Sequence, residues 1–160
     1  MKIIIPIGIS GSGKTRLYNM RYSNYELVSP DLIRKELTGS ISDQRKNHEV
    51  FKEVDRRIDE CVKEKKDIYY DATNVNTDFR KAFTDKFRGT DVEITYVVLP
   101  ADVEVSFGRI KKDLKENVHR AVVPKHVIIR QYGMYRHSLK TEFKDENVQE
   151  IIYVQPGELD

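Results

Sequence analysis

The sequence predicts an α/β fold: a parallel sheet of five strands with helices on both faces. Three observations lead there. Apolar runs suited to buried strands alternate with amphipathic stretches along the chain, the order of repeated strand–helix–strand units. The first run, Ile3-Ile4-Ile5-Pro6-Ile7, is apolar throughout, as a strand covered on both faces must be. It passes directly into Gly8-Ile9-Ser10-Gly11-Ser12-Gly13-Lys14-Thr15. That is the G-x-x-x-x-G-K-T phosphate loop, placed between a strand and a helix.

The remaining elements follow in order. Thr15 to Met20 hold no breaker and open the first helix. Tyr25 to Val28 form a second, short strand. Ser29-Pro30-Asp31 starts a helix through Leu37 that Gly39 stops. Ser42 and Asp43 read as the cap of a long helix burying Val50, Phe51, Val54, Ile58, Cys61 and Val62, with a charged, solvated opposite face. Ile68 to Tyr70 is a third strand, closed by Asp71. Asn76-Thr77 caps a helix expected to bury Phe79, Ala82, Phe83 and Phe87, and Gly89 ends it. Val92 to Leu99 is a fourth strand, and Asp102 caps a helix bearing Val103, Phe107, Ile110 and Leu114. From Lys111 to Val123 the periodicity fades and the stretch is basic, which suggests a lid. Pro124 suits the first position of a helix carrying Val127, Ile128, Gln131 and Tyr135. Residues 148–154 read as the last strand.

A chain of 160 residues has the size of one domain, here 1–160. Its charged fraction of 34% and mean hydropathy of -0.60 fit a soluble protein. No apolar run reaches membrane-spanning length, and Met1-Lys2 leads straight into the first strand without a signal peptide. A lone Cys61 excludes an intrachain disulfide and fits a reducing compartment such as a cytoplasm. The net charge of +2 gives no general attraction to nucleic acid, so any basic surface must be local.

The chemistry starts at the phosphate loop. Gly8, Gly11 and Gly13 allow positive φ and let amide N–H groups of the loop, Ser10 and Ser12 included, approach an anion. A helix beginning at Lys14 adds its positive end. Lys14 reaches the β- and γ-phosphates of ATP, and the Thr15 hydroxyl is a ligand for Mg²⁺. In parallel sheets ligands collect at the carboxyl ends of the strands, where Asp31, Asp71, Thr73 and Asn74 also fall. Asp31 is either the base that takes an acceptor's proton or a helix-capping carboxylate paired with Arg34, one turn on. Arg34 suits a phosphate of the acceptor. Asp71 suits Mg²⁺ held through water; Thr73 and Asn74 suit acceptor or phosphate, or else simply shape a polar turn. Lys111, Lys112, Lys115, His119, Arg120 and Lys125 form the basic stretch. Arg120 is its candidate for stabilising a transferring phosphoryl group, and Arg109 suits the adenine or a phosphate.

Taken together, Gly8-x4-Gly13-Lys14-Thr15, Ser29-Pro30-Asp31-x-x-Arg34, Asp71-Ala72-Thr73-Asn74, Arg109 and Arg120-Ala121-Val122-Val123-Pro124 resemble the P-loop family of polynucleotide 5′-hydroxyl kinases. The likeness runs in order over nearly the whole chain. It implies a P-loop NTPase fold with a basic lid at about 111–123. Asp31 would be the general base, Arg34 the acceptor-phosphate ligand, Lys14 and Thr15 the partners of ATP and Mg²⁺, and Arg109 a nucleotide neighbour. It also implies a nucleic-acid acceptor, at a single-stranded end or a nick, and no membrane. Two features depart from the family: the segment between Arg109 and the Val-Pro pair is longer, and the family's aspartate before Thr-Asn falls on Ala72. Relatives with these features phosphorylate small molecules, tRNA-linked serine or hydroxymethylated bases in DNA, so the alternative acceptor is a hydroxymethylated base in DNA, a nucleoside or a small metabolite. An ATP-switched binding module is the alternative outside the enzymes.

Overall fold

The computed structural model describes residues 1–116 and 120–160. Five parallel strands make one sheet in the order β2-β3-β1-β4-β5: β1 (Lys2–Ile7), β2 (Glu26–Val28), β3 (Ile68–Tyr70), β4 (Glu93–Val98) and β5 (Glu150–Tyr153). The central β1 pairs with β4 from Lys2–Glu93 to Ile7–Val98, and with β3 at Ile3–Ile68 and Ile4–Tyr69. Alternation along β1 divides the core. Ile3, Ile5 and Ile7 enter one cluster, and Ile4 enters the other, because successive strand side chains point to opposite faces.

The larger cluster lies under α2 (Pro30–Thr38), α3 (Asn47–Glu64), α4 (Thr77–Asp85), α5 (Val103–Lys115) and α6 (Lys125–Thr141); α2, α3, α5 and α6 supply Ile33, Val50, Val54, Ile58, Ile110, Ile128 and Tyr135, and Phe83 of α4 packs against them. The opposite face is thinly covered. There α1 (Lys14–Leu17) makes one α-helical turn and runs into a π-helical turn, Tyr18–Tyr22. Leu17 and the rings of Tyr18, Tyr22 and Tyr25 pack on Ile4 and Tyr69. Arg16 and Arg21 hold the C-terminal turn against this layer through the Leu159 carbonyl and the Glu158 carboxylate. The helix after β1 and the helix after β3 therefore leave toward opposite faces. The crevice for a ligand opens where such connections diverge, at the carboxyl ends of β1 and β3. No described helix is long and apolar enough to cross a membrane.

Several sequence expectations change. Ser42 and Asp43 do not cap α3. The Asp43 carboxylate accepts from the Arg45 amide and guanidinium, and α3 begins after Lys46 with no side-chain cap. Phe51 and Phe79 are not core: they are 46% and 77% exposed. The inward lines are Val50-Val54-Ile58 on α3 and Arg80-Thr84 on α4, one residue round from each phenylalanine. Helix α5 runs on to Lys115, so Lys111, Lys112 and Lys115 are helical. Pro124 is the N-cap of α6 rather than its first residue, and Leu114 is exposed.

The buried ion pair of Arg80 and Glu146 fixes the loop that follows β3. Both side chains are 1% exposed. Arg80 Nε and Nη2 bond the two carboxylate oxygens at 2.7 and 2.9 Å. Its Nη1 donates to the Asn74 carbonyl at 2.8 Å and to Ser138 Oγ at 3.0 Å. Tyr96 donates its hydroxyl to Glu146 at 2.7 Å. A buried charge is tolerated only when paired and hydrogen-bonded in this way. Glu146→Ala leaves Arg80 buried and unpaired, so urea unfolding should show a loss of about 3–5 kcal/mol. A loss under about 1 kcal/mol would mean that the guanidinium finds water instead.

Candidate active site

The loop after β1 is shaped by glycine at three positions, for two reasons. Gly11 and Gly13 have φ of 79° and 105°, where a side chain is strained. Gly8 lies outside that region; there a Cβ would collide with Ser12 Oγ. The expectation of positive φ thus holds for two of the three glycines. A Cβ at Gly11 would also sit 2.8 Å from the Ser106 carbonyl oxygen of α5. The loop is pinned to its neighbours: the Gly8 amide donates to the Thr73 carbonyl at 3.0 Å, and the Ser10 amide to Gln131 Oε1 of α6 at 2.9 Å. Ser12 Oγ is buried with no hydrogen-bond partner among the described residues. A buried hydroxyl without a protein acceptor, in a loop of amides, suits an anion.

Lys14 turns its ammonium back over the loop, donating to the carbonyls of Ile9 at 2.8 Å and Gly8 at 3.3 Å. Burial pushes its pKa down to about 8; nearby Asp71 opposes the shift, Arg120 adds to it, and Asp31 opposes it. Burial likewise raises the Asp71 carboxyl, against the pull of Lys14 and with a further push from Asp31. These four groups come from the ends of β1, β2 and β3 and from the segment before α6, and Lys14 lies within electrostatic reach of the other three. Arg120 also pairs with Asp113 of α5, and the Val122 amide donates to Ser42 Oγ at 3.1 Å. Residues 120–124 thus bridge α5 to the loop between α2 and α3. His119 lies outside the described residues.

Asp31 stands in the first turn of α2. Ser29 is the N-cap, its hydroxyl accepting from the Leu32 amide at 3.2 Å, and Pro30 begins the helix. Asp31 is therefore not the cap. One of its oxygens accepts from Arg34 Nη1 at 2.6 Å, and its side chain is 53% exposed. Arg34 is buried and also donates Nε to Asn47 Oδ1 of α3 at 3.1 Å. Asn74 has φ 54°, and its amide nitrogen faces the carbonyls of Pro6, Ala72 and Tyr70 at 2.9, 3.0 and 3.3 Å. Those N–H groups hold the loop in place. Thr73 gives its carbonyl to Gly8. Arg109 Nη1 donates to the Gly11 carbonyl at 3.2 Å, and Thr15 is exposed at the loop's mouth. Lys111 and Lys125 lie over the Phe107 ring, away from this cluster in their contacts.

A family model described as "AAA domain" matches residues 3–136. The chain belongs to the AAA-domain family. This AAA domain is similar in fold to several solved P-loop structures. A chain in the Pnkp1/Rnl/Hen1 RNA repair complex superposes with a TM-score of 0.69 at 22% identity, covering 88% of this chain and 45% of that one. A chain from the PezAT chromosomal toxin–antitoxin system of Streptococcus pneumoniae gives 0.59 at 15% identity over 94% and 67%. Deoxyadenosine kinase from M. mycoides with bound dATP gives 0.51 at 16% identity over 95% and 91%. The chain thus spans under half the length of the RNA repair protein it matches. No curated protein sequence matches it. The fold of this AAA domain is that of the P-loop kinases.

Three supporting residues escape a reading of the sequence. Tyr69, fully buried, donates its hydroxyl to the Lys14 carbonyl at 2.6 Å; in the sequence it is one apolar residue of a strand. Gln131 reads as a helix-face residue yet holds the Ser10 amide. Asn47 gives no signal except its place at the start of a helix. The Lys14 charge yields a test. Its folded pKa lies below the ordinary 10.5, so burying the charge destabilises the fold below about pH 8, and the cost fades as pH rises toward 10.5. Lys14→Met should therefore stabilise the nucleotide-free protein at pH 7, by an amount that shrinks between pH 8 and 10.5. Urea unfolding of both proteins across that range measures it; a difference independent of pH would contradict the burial.

Proposed function

We propose that this AAA domain is a kinase that moves the γ-phosphate of ATP to the 5′-hydroxyl of a nucleic-acid end. The observation that carries the reading is the placement of Asp31: half-exposed, oriented through one oxygen by Arg34, and within electrostatic reach of Lys14 on the rim it shares with the phosphate loop. The fold likeness to a chain of an RNA repair complex supports the same acceptor class.

In the reaction the acceptor oxygen bonds to the γ-phosphorus, the bond from that phosphorus to the β-phosphate oxygen breaks, and ADP leaves. The acceptor's proton passes to Asp31, whose second oxygen is not taken by Arg34. Arg34 orients this carboxylate and presents charge to the acceptor's own phosphate. Loop amides and the Ser12 hydroxyl hold the phosphate chain, and Lys14 stabilises the charge that spreads over the equatorial oxygens. Arg120 approaches from the lid side, released from Asp113, and Arg109 covers the loop near Gly11. Among the described residues no three His, Cys, Asp or Glu side chains gather into a metal site. Thr15 would hold Mg²⁺ together with phosphate oxygens and Asp71 would reach it through water; such an ion would neutralise phosphate charge.

Labelled ATP with Mg²⁺ and a 5′-hydroxyl oligonucleotide should label the 5′ end. Asp31→Asn should lower that transfer by about 10²–10⁴-fold and leave ATP affinity near wild type. Labelling of free nucleosides or metabolites alone would move the acceptor to a small alcohol. Undiminished ATP hydrolysis in Asp31→Asn, with no acceptor labelled by the wild type, would instead fit a nucleotide switch. Arg120→Ala should lower kcat more than it raises the KM for ATP if the guanidinium serves the transition state; equal effects would place it in ground-state binding.

A further inference from the structure

Phe51 and Phe79 are large, exposed and unexplained by the core. Both lie just below the rim that carries Asp31. Helices α3 and α4 begin at that rim and run down the same face of the sheet, and Lys86 Nζ meets Asp55 across the gap at 3.5 Å. Phe51 is one turn above Asp55 on α3. Phe79 and Phe83 stand two turns and one turn above Lys86 along α4. Between the helices Tyr70, at the end of β3, stacks on Phe83 with ring centroids 4.9 Å apart and planes 12° from parallel. The α3 side is a shallow hollow of about 560 Å³ lined by Asn47, His48, Phe51, Lys52 and Asp55. Its upper edge is Asn47, which holds Arg34. The hollow thus ends at a residue that touches Arg34, and Phe51 is one helical turn, about 5.4 Å, beyond it.

Resting on the kinase reading above, we propose that this furrow binds the unpaired nucleotides on the 3′ side of the acceptor end, with a base stacked on Phe51 and the strand running toward Phe79. The occupant is single-stranded nucleic acid for three reasons. Flat aromatic faces take any base without regard to sequence. Lys46, His48 and Lys52 lie exposed on the same segment and none is in an ion pair among the described residues, which suits a phosphate backbone. A turn of α3 spans between one and two stacked bases at about 3.4 Å each, so the strand reaches Phe51 without leaving Arg34. A small alcohol held at Asp31 and Arg34 would not extend so far.

The chain has no tryptophan, so Phe51→Trp installs a single fluorophore on the furrow. Its emission should be quenched by a 5′-hydroxyl single-stranded decamer in the absence of ATP. Phe51→Ala, and more so Phe51→Ala/Phe79→Ala, should lower kcat/KM for the decamer relative to a nucleoside 3′-phosphate by about tenfold or more, through KM. Both residues are exposed, so circular dichroism should be unchanged. If the wild type phosphorylates the decamer but neither the ratio nor the Trp emission moves, the furrow is overturned and the kinase reading stands. If the wild type phosphorylates no nucleic acid, both fall together.

Discussion

The ammonium of Lys14 is the charge around which the rim is built. It folds back onto the carbonyls of Gly8 and Ile9 and is balanced by Asp71 beside it. Such an arrangement does not favour the folded state; burial depresses the lysine's pKa and raises that of Asp71. It persists because the surrounding structure leaves the loop no other path. The Gly8 amide is tied to Thr73, the Ser10 amide to Gln131, the Lys14 carbonyl to Tyr69, and Gly11 lies against the backbone of α5.

The support extends well beyond the loop. Parallel strands bring every carboxyl end to one side of the sheet, so Lys14, Asp31 and Asp71 meet although they are distant in sequence. The loop after β3 owes its shape to Asn74, whose amide binds three carbonyls in a left-handed conformation, and to Arg80, which clamps the Asn74 carbonyl from below. Arg80 is in turn fixed by Glu146, just ahead of β5, so the last segment of the chain secures a loop at the opposite edge of β1.

What could be read in advance was whatever local chemistry dictates. The phosphate loop, the Ser29-Pro30 helix start and the Asn76 and Asp102 caps are signals carried by adjacent residues, and each appears in the structure. So does the parallel five-stranded sheet, since uninterrupted apolar strands demand cover on both sides. What could not be read depends on partners far away. Arg80 looks like any charged helical residue until Glu146, 66 positions on, meets it. Asp43 has the right residue type for a cap, but Arg45 captures it first. Phe51 and Phe79 fit an apolar stripe by spacing, yet a stripe one residue narrower fills the space, and the phenylalanines face out. Gly8 was legible as a glycine but not its cause, a neighbouring hydroxyl rather than a backbone angle.

The central claim is that the carboxylate at the end of β2 and the phosphate loop at the end of β1 act on the same reacting atoms. The direct measurement is a crystal structure of the protein with Mg²⁺, a non-hydrolysable ATP analogue and a 5′-hydroxyl oligonucleotide. The account predicts an acceptor oxygen about 3 Å from Asp31 and about 3–3.5 Å from the γ-phosphorus, with Lys14 turned off the loop carbonyls onto phosphate. An Asp31 carboxylate still facing only Arg34, with the acceptor hydroxyl out of its reach, would contradict it.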